Sequence, residues 1–134
     1  MKHLILISAL LFSFNSWAYS ESDVKKYKYT GACVSCDLSG YDFSETKLGG
    51  SDFRSANLTG ATLMFADLTG ANLTGAKLGM ADLSKANLTD VDLSTTGGVE
   101  DFRLDGAKLC RTKLPSGHYQ KKYGDQSISD CDDE

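Results

Sequence analysis

The sequence predicts a solenoid, a chain that turns once in every five residues and winds around an axis of leucine. Three observations predict it. A large apolar residue, Leu or Phe, returns at every fifth position from Leu38 to Leu93. The position two before it is small, and is Ala in seven consecutive units from Ala56 to Ala86. The position two after it is often Gly, as at Gly40, Gly50, Gly60 and Gly70. A period of five suits neither regular element. On an α-helix it carries each leucine about 140° past a full turn, so the leucines spiral around the cylinder. On a strand the odd spacing sends successive leucines to opposite faces. A turn inside every unit re-aims the chain, and each leucine then points inward.

The chain has 134 residues and a formal net charge of −4, which suits one small domain without a basic surface for nucleic acid. Residues 1–18, "MKHLILISALLFSFNSWA", read as a signal peptide with the cut after Ala18. Lys2 opens it, an apolar stretch runs from Leu4 to Phe14, and small residues stand at Ser16 and Ala18. That stretch is about half of the roughly 20 residues a membrane span needs, which argues against an uncleaved anchor. No cysteine follows the cut, which argues against a lipoprotein. The expectation is a periplasmic or secreted chain beginning at Tyr19, with 13 basic and 18 acidic residues and no membrane association after cleavage. Outside the cytosol cysteines pair. Four cysteines allow three connectivities. Two of them lie at each end of the repeats, which favours the structural disulfides Cys33–Cys36 and Cys110–Cys131.

Residues 19–35 form the expected N-terminal cap. Ser22 is read as a helix N-cap, "DVKKYKYT" as a short helix, and Gly31 as its stop. A helix this short is marginal alone and needs packing on the first coil. Cys33 continues the frame of the central residues and Cys36 that of the small ones, so both are expected to face inward. They are the ends of a four-residue turn, within disulfide reach.

The repeats follow. Twelve units run in register from Leu38 to Leu93. One extra residue enters near "STTGG", and the frame is read as resuming with Val99, Leu104, Leu109 and Leu114. The A-[DN]-L-x-x array, over about 80 residues, resembles the pentapeptide-repeat family. That resemblance implies an all-β fold, a right-handed quadrilateral β-helix with four units per coil. Residues 36–116 then make about four coils, a stack about 20 Å tall at the usual strand spacing. Tyr41 and Phe102 break the small-residue rule. Counted four units to a coil, they fall on one side, in the first and last coils, and are read as end-coil caps. Pro115 opens a turn, and residues 117–134 form a capping tail that returns to Cys131. The CxxC start and the trailing cysteine also resemble exported members of the family.

The remaining motifs carry little chemistry. A redox role for Cys33 and Cys36 needs a strand–helix context that lowers a thiol pKa, and none is visible. A zinc site needs four ligands, and Cys110, His118 and Cys131 belong to the far end. His118 is read as solvated. No catalytic constellation or cofactor motif is present. The aspartates at second positions, such as Asp37, Asp67 and Asp92, are expected to be exposed and to stack. The "NLT" sequons at Asn57, Asn72 and Asn87 follow from the repeat. Fourth and fifth positions are expected to face water, and three of them are apolar. Met64, Phe65 and Met80 fall on one side of adjacent coils and form a candidate interaction patch, for a protein partner or for self-association.

Three functions fit these residues. The favoured one is an exported, non-enzymatic scaffold that binds a protein. A second is implied by the resemblance, whose best-understood members are dimeric, acidic DNA mimics that bind DNA gyrase. The signal peptide argues against it, and so do Lys47, Lys77, Arg103, Lys108 and Lys113 among the second positions. The third is a CxxC redox or metal-binding protein.

Overall fold

The computed structural model describes residues 19–98, 101–115 and 131. Each five-residue unit makes one turn. The carbonyl of the central residue accepts a bond from the amide three residues on, as Leu38 does from Tyr41 at 3.1 Å. At every fifth position from Ser35 to Asp90, φ lies between 55° and 69°. A positive φ at the third residue of such a turn defines type II, which glycine adopts without strain.

The polar second residue holds this turn. Its side-chain oxygen accepts the amide two residues on, at 3.1 Å from Asp37 to Ser39 and 3.0 Å from Asp67 to Thr69. Asp42, Asp52, Asn57, Asn72, Asp82, Asn87 and Asp92 make the same contact. This is the Asx turn, in which a short side chain stands in for a backbone carbonyl. It corrects the expectation of stacking alone. Stacking is the lesser contact, as where Asn57 donates its side-chain amide to Asp37 at 3.3 Å. Hydroxyls of Ser39, Thr69, Thr89 and Ser94 donate to the same oxygens at 2.5 to 2.7 Å. The hydroxyl and then the amide of Thr69 hold the Asp67 carboxyl below its ordinary value, and Ser94 does the same for Asp92.

Parallel bridges join residues twenty apart, in four series. One runs Asp37–Asn57–Lys77–Gly97, the next Asp42–Thr62–Asp82, the third Lys47–Asp67–Asn87, the fourth Ala32–Asp52–Asn72. Each series is one side of the winding. Inside, the leucines from Leu38 to Leu93 are buried, with Phe43 and Phe53 among them. The alanines from Ala56 to Ala86 are also buried, where a longer side chain would meet the leucine axis. Buried Thr96 and Thr112 satisfy their hydroxyls on the carbonyls of Leu93 and Leu88, at 2.8 and 2.7 Å.

The extra residue enters later than the sequence suggests. Lys77 still bridges Gly97 at a spacing of twenty, whereas Asp82 bridges Arg103 at twenty-one. Gly97 is therefore a second position and Gly98 the central one, in place of Val99, which lies outside the described residues. Gly98 can hold that position because it has no side chain. Its φ is +74°, and a Cβ there would fall 2.4 Å from the amide nitrogen of Gly79.

The helix α1 spans Glu21–Thr30 and is capped by Ser20, not Ser22. Ser20 Oγ accepts the Asp23 amide at 3.3 Å, and Glu21 and Asp23 place negative charge in the first turn, where the helix dipole favours it. Ser22 only pairs its hydroxyl with that of Ser20. Gly31 ends the helix at φ 67°, as expected. Val24 is buried, and the Tyr27 ring stacks on Phe53 at 5.2 Å and meets Phe43 edge-on at 5.7 Å. The helix thus lies across the open end of the first coil.

Two outcomes are expected. Gly98→Ala destabilises more than Gly50→Ala in chemical denaturation. Gly50 has the same left-handed backbone but open space around it, so its cost is the conformational term alone, about 1–2 kcal/mol. Equal losses would show that the Gly98–Gly79 contact is not limiting. The second outcome concerns acid. Folded carboxylates held below the unfolded value of about 3.9 add stability above that pH and lose it as pH falls through their folded values. The melting temperature should stay level from about pH 7 to 5 and fall below about pH 4. Asp67→Asn with Asp92→Asn should make that fall shallower.

Candidate functional site

Both cysteine pairs are bonded. Cys33 and Cys36 have Cα atoms 5.2 Å apart, and both face inward, 0% and 3% exposed. A sulfur so enclosed lacks the access that redox exchange needs. Cys110 and Cys131 have Cα atoms 5.0 Å apart, which ties Cys131 to the last turn. His118 and residues 116–130 lie outside the described residues. So do residues 1–18, where the signal peptide is read.

Tyr41 and Phe102 precede Asp42 and Arg103, which the bridges through Thr62 and Asp82 place on one side of the winding. Tyr41 is half-buried, edge-on to Tyr19 at 4.7 Å and to Phe43 at 4.5 Å. Phe102 is buried, 1% exposed.

Met64 and Phe65 occupy the turn after Thr62, and Met80 the turn before Asp82. The Thr62–Asp82 rung runs between them, so the three flank one side at its two corners. Met64 is half-buried, whereas Phe65 is 52% and Met80 54% exposed. The Lys85 ammonium sits 5.2 Å from the centre of the Phe65 ring, a cation–π contact. Phe65 and Met80 also take φ values of 58° and 55°. A left-handed backbone costs a side chain other than glycine about 1–2 kcal/mol.

The sequence did not reveal two other features. Tyr29 is 90% exposed near the end of α1, on the polar side of a helix too short to show a clear period. Among the described residues the Asn72–Asp92 rung is missing from its ladder. A groove of about 300 Å³ opens there, lined by Gly70 to Thr74 and by Asp90 and Asp92. The turn that follows departs from the others. Thr95 is branched at Cβ and does not take the positive φ of other fifth positions. The Gly75 amide then bonds to the Thr95 hydroxyl at 3.2 Å. The groove's carboxylates are already engaged, Asp90 by Arg111 and Asp92 by Ser94 and Lys113. Among the described residues no group of His, Cys, Asp and Glu is arranged to hold a metal ion, and no helix is long and apolar enough to cross a membrane.

The comparisons fit this geometry. The family model described as pentapeptide repeats (8 copies) matches residues 36–75 and 66–96. A pentapeptide repeat protein from Nostoc PCC 7120, alr5209, is 27% identical with a TM-score of 0.55, over 79% of this chain and 93% of that one. Rfr23, a pentapeptide repeat protein from Cyanothece 51142, is 19% identical with a TM-score of 0.37, over 69% of this chain and 97% of its own. A pentapeptide repeat protein from the Arabidopsis thaliana thylakoid lumen is 29% identical with a TM-score of 0.31, over 83% of each chain. No curated protein matches the sequence. Such proteins wind as right-handed β-helices. With its five-residue turns, its twenty-residue ladders and its buried leucine axis, this chain belongs to the pentapeptide-repeat family.

Proposed function

We propose that this chain is an exported, non-enzymatic scaffold, a rigid prism of about four coils that presents Met64, Phe65 and Met80 to a protein partner. In this reading α1 and Tyr41 close the first coil, and Phe102 and the disulfide-tied tail close the last. The observation that carries the proposal is the backbone at Phe65 and Met80. Neighbouring fifth positions at Gly60, Gly70 and Gly75 meet the left-handed requirement without strain. Phe65 and Met80 meet it at a cost and also hold apolar surface in water, so both act against stability. Strain of this kind is retained where function needs it. The second-position Asp and Asn side chains are bonded to their own backbone, which assigns them to structure. Export is supported by the character of residues 1–18 and by the paired cysteines, which persist in oxidising compartments.

The test is a pull-down from the exported compartment with the wild-type protein and with a variant carrying Met64→Ser, Phe65→Ser and Met80→Ser. The variant should melt no lower than wild type and should lose the captured partner. A partner retained in full would remove the patch from the function. Cell fractionation checks export, with a mature N-terminus at Tyr19 as the expected product. An uncleaved cytosolic chain would overturn that part.

A further inference from the structure

The helix and its cap bond only half of the exposed backbone edge of the stack. In each unit the amide and carbonyl of the second residue point toward the preceding coil. Asn57 shows this, donating to the Cys36 carbonyl at 2.8 Å and accepting from the Leu38 amide at 2.9 Å. The first four second residues, Ala32, Asp37, Asp42 and Lys47, have no preceding coil. α1 serves two of them. The Thr30 hydroxyl lies 3.2 Å from the Ala32 amide and 2.9 Å from its carbonyl. Asp23 accepts the Asp37 amide at 2.8 Å, and the Ser20 amide donates to the Asp37 carbonyl at 2.9 Å. Among the described residues nothing bonds the amide or carbonyl of Asp42 or Lys47. Both residues are exposed.

We infer that this uncovered half-edge pairs with the same half-edge of a second copy, about a two-fold axis through the corner at Ser44 and Glu45. Asp42 then faces the partner's Lys47, and Lys47 faces the partner's Asp42. Three features select this occupant. First, a residue with amide and carbonyl both pointing outward can exchange both bonds with one residue of an antiparallel neighbour, as it bonds two residues of a parallel one inside the stack. A two-fold rotation reverses chain direction and supplies that pairing. Second, the edge turns a corner at Ser44–Glu45. A straight strand from another protein follows one side only, whereas a second copy turns the same corner. Third, the charges are self-complementary under this rotation, as an isologous contact requires. α1 lies over the other two sides, so the two stacks incline away from each other there.

One group opposes the contact. Glu45 stands at the corner and meets the partner's Glu45 across the axis. It is exposed, so the repulsion is screened by salt, but it limits affinity. The contact is also small, which fits a weak and transient dimer. This dimer is independent of the proposed patch and uses none of its residues.

Sedimentation equilibrium of the oxidised protein, at concentrations up to about 1 mM, tests it. A reversible monomer–dimer equilibrium is expected. Lys47→Asp places like charges opposite each other and should weaken the dimer by about tenfold or more. Lys47 makes no bond within its own turn, so the fold should survive, and circular dichroism checks this. Asp42→Lys should act alike, the double exchange Asp42→Lys with Lys47→Asp should restore association, and Glu45→Gln should tighten it. The Met64, Phe65 and Met80 serine variant should dimerise as wild type does. A chain monomeric throughout, a dimer indifferent to the Lys47 change, a double exchange that fails to restore it, or a dimer lost in the serine variant would each overturn the inference.

Discussion

The structure depends on one closure, the return of the chain to the same side after twenty residues. Every ladder bond requires it, because the central amide of one unit must meet the second-position carbonyl of the unit four later. Closure in turn rests on a turn at each corner, and from Ser35 to Asp90 that turn has a left-handed fifth residue. The Asx contact of the second residue stabilises the corner locally, while the leucine fills the axis. One large apolar side chain in five residues is a sparse core, so the ladder and the turn bonds must share the work of holding the coil. The extra residue after Gly97 shows how strict the closure is. The chain absorbs it once, between Gly97 and Arg103, and the three described rungs that follow all span twenty-one residues. It enters where the backbones of Gly79 and Gly98 touch, so the displaced coil has no side chains to separate.

A stack of this kind satisfies its interior groups by repetition, which makes its ends the only places where satisfaction must be specified separately. The first coil solves half of that problem with three residues of α1 and its cap. Thr30 closes one side, and Asp23 and Ser20 close the next. Asp23 serves twice, since its amide is bound by the Ser20 cap while its carboxylate caps the coil. The start of the helix and the start of the ladder are therefore one hydrogen-bonded unit, and this explains why the cap falls at Ser20.

Much of this was legible in the sequence because a period survives without knowledge of the fold. The register of the leucines, the inward alanines, the inward cysteines and the shared side of Tyr41 and Phe102 all follow from counting. What was not legible depends on contacts between residues far apart in the chain. Val99 resembles a central residue more than Gly98 does, and only the Gly79 backbone beneath shows why glycine belongs there. Second-position aspartates look like surface charge in a pattern, since the amide they accept becomes visible only when the turn is built. The candidate patch was found as three apolar residues out of place. Its strain was hidden, because composition does not report φ.

That strain separates the fifth positions into kinds. Glycine meets the requirement freely. Ser35, Glu45, Ser55, Lys85, Asp90 and Arg111 meet it at a cost and remain hydrated or ion-paired at the corners. Thr95, branched at Cβ, does not meet it, and the rung above it is missing. The corner that departs from the left-handed backbone and the unpaired rung fall together. Phe65 and Met80 hold the left-handed backbone and keep their rungs, yet they gain neither the freedom of glycine nor the hydration of a polar side chain. Lys85 covers one face of Phe65, and Met80 is left more than half exposed. Two residues that preserve the wall while working against local stability on both counts are the departure from repetition on which the proposed partner contact rests.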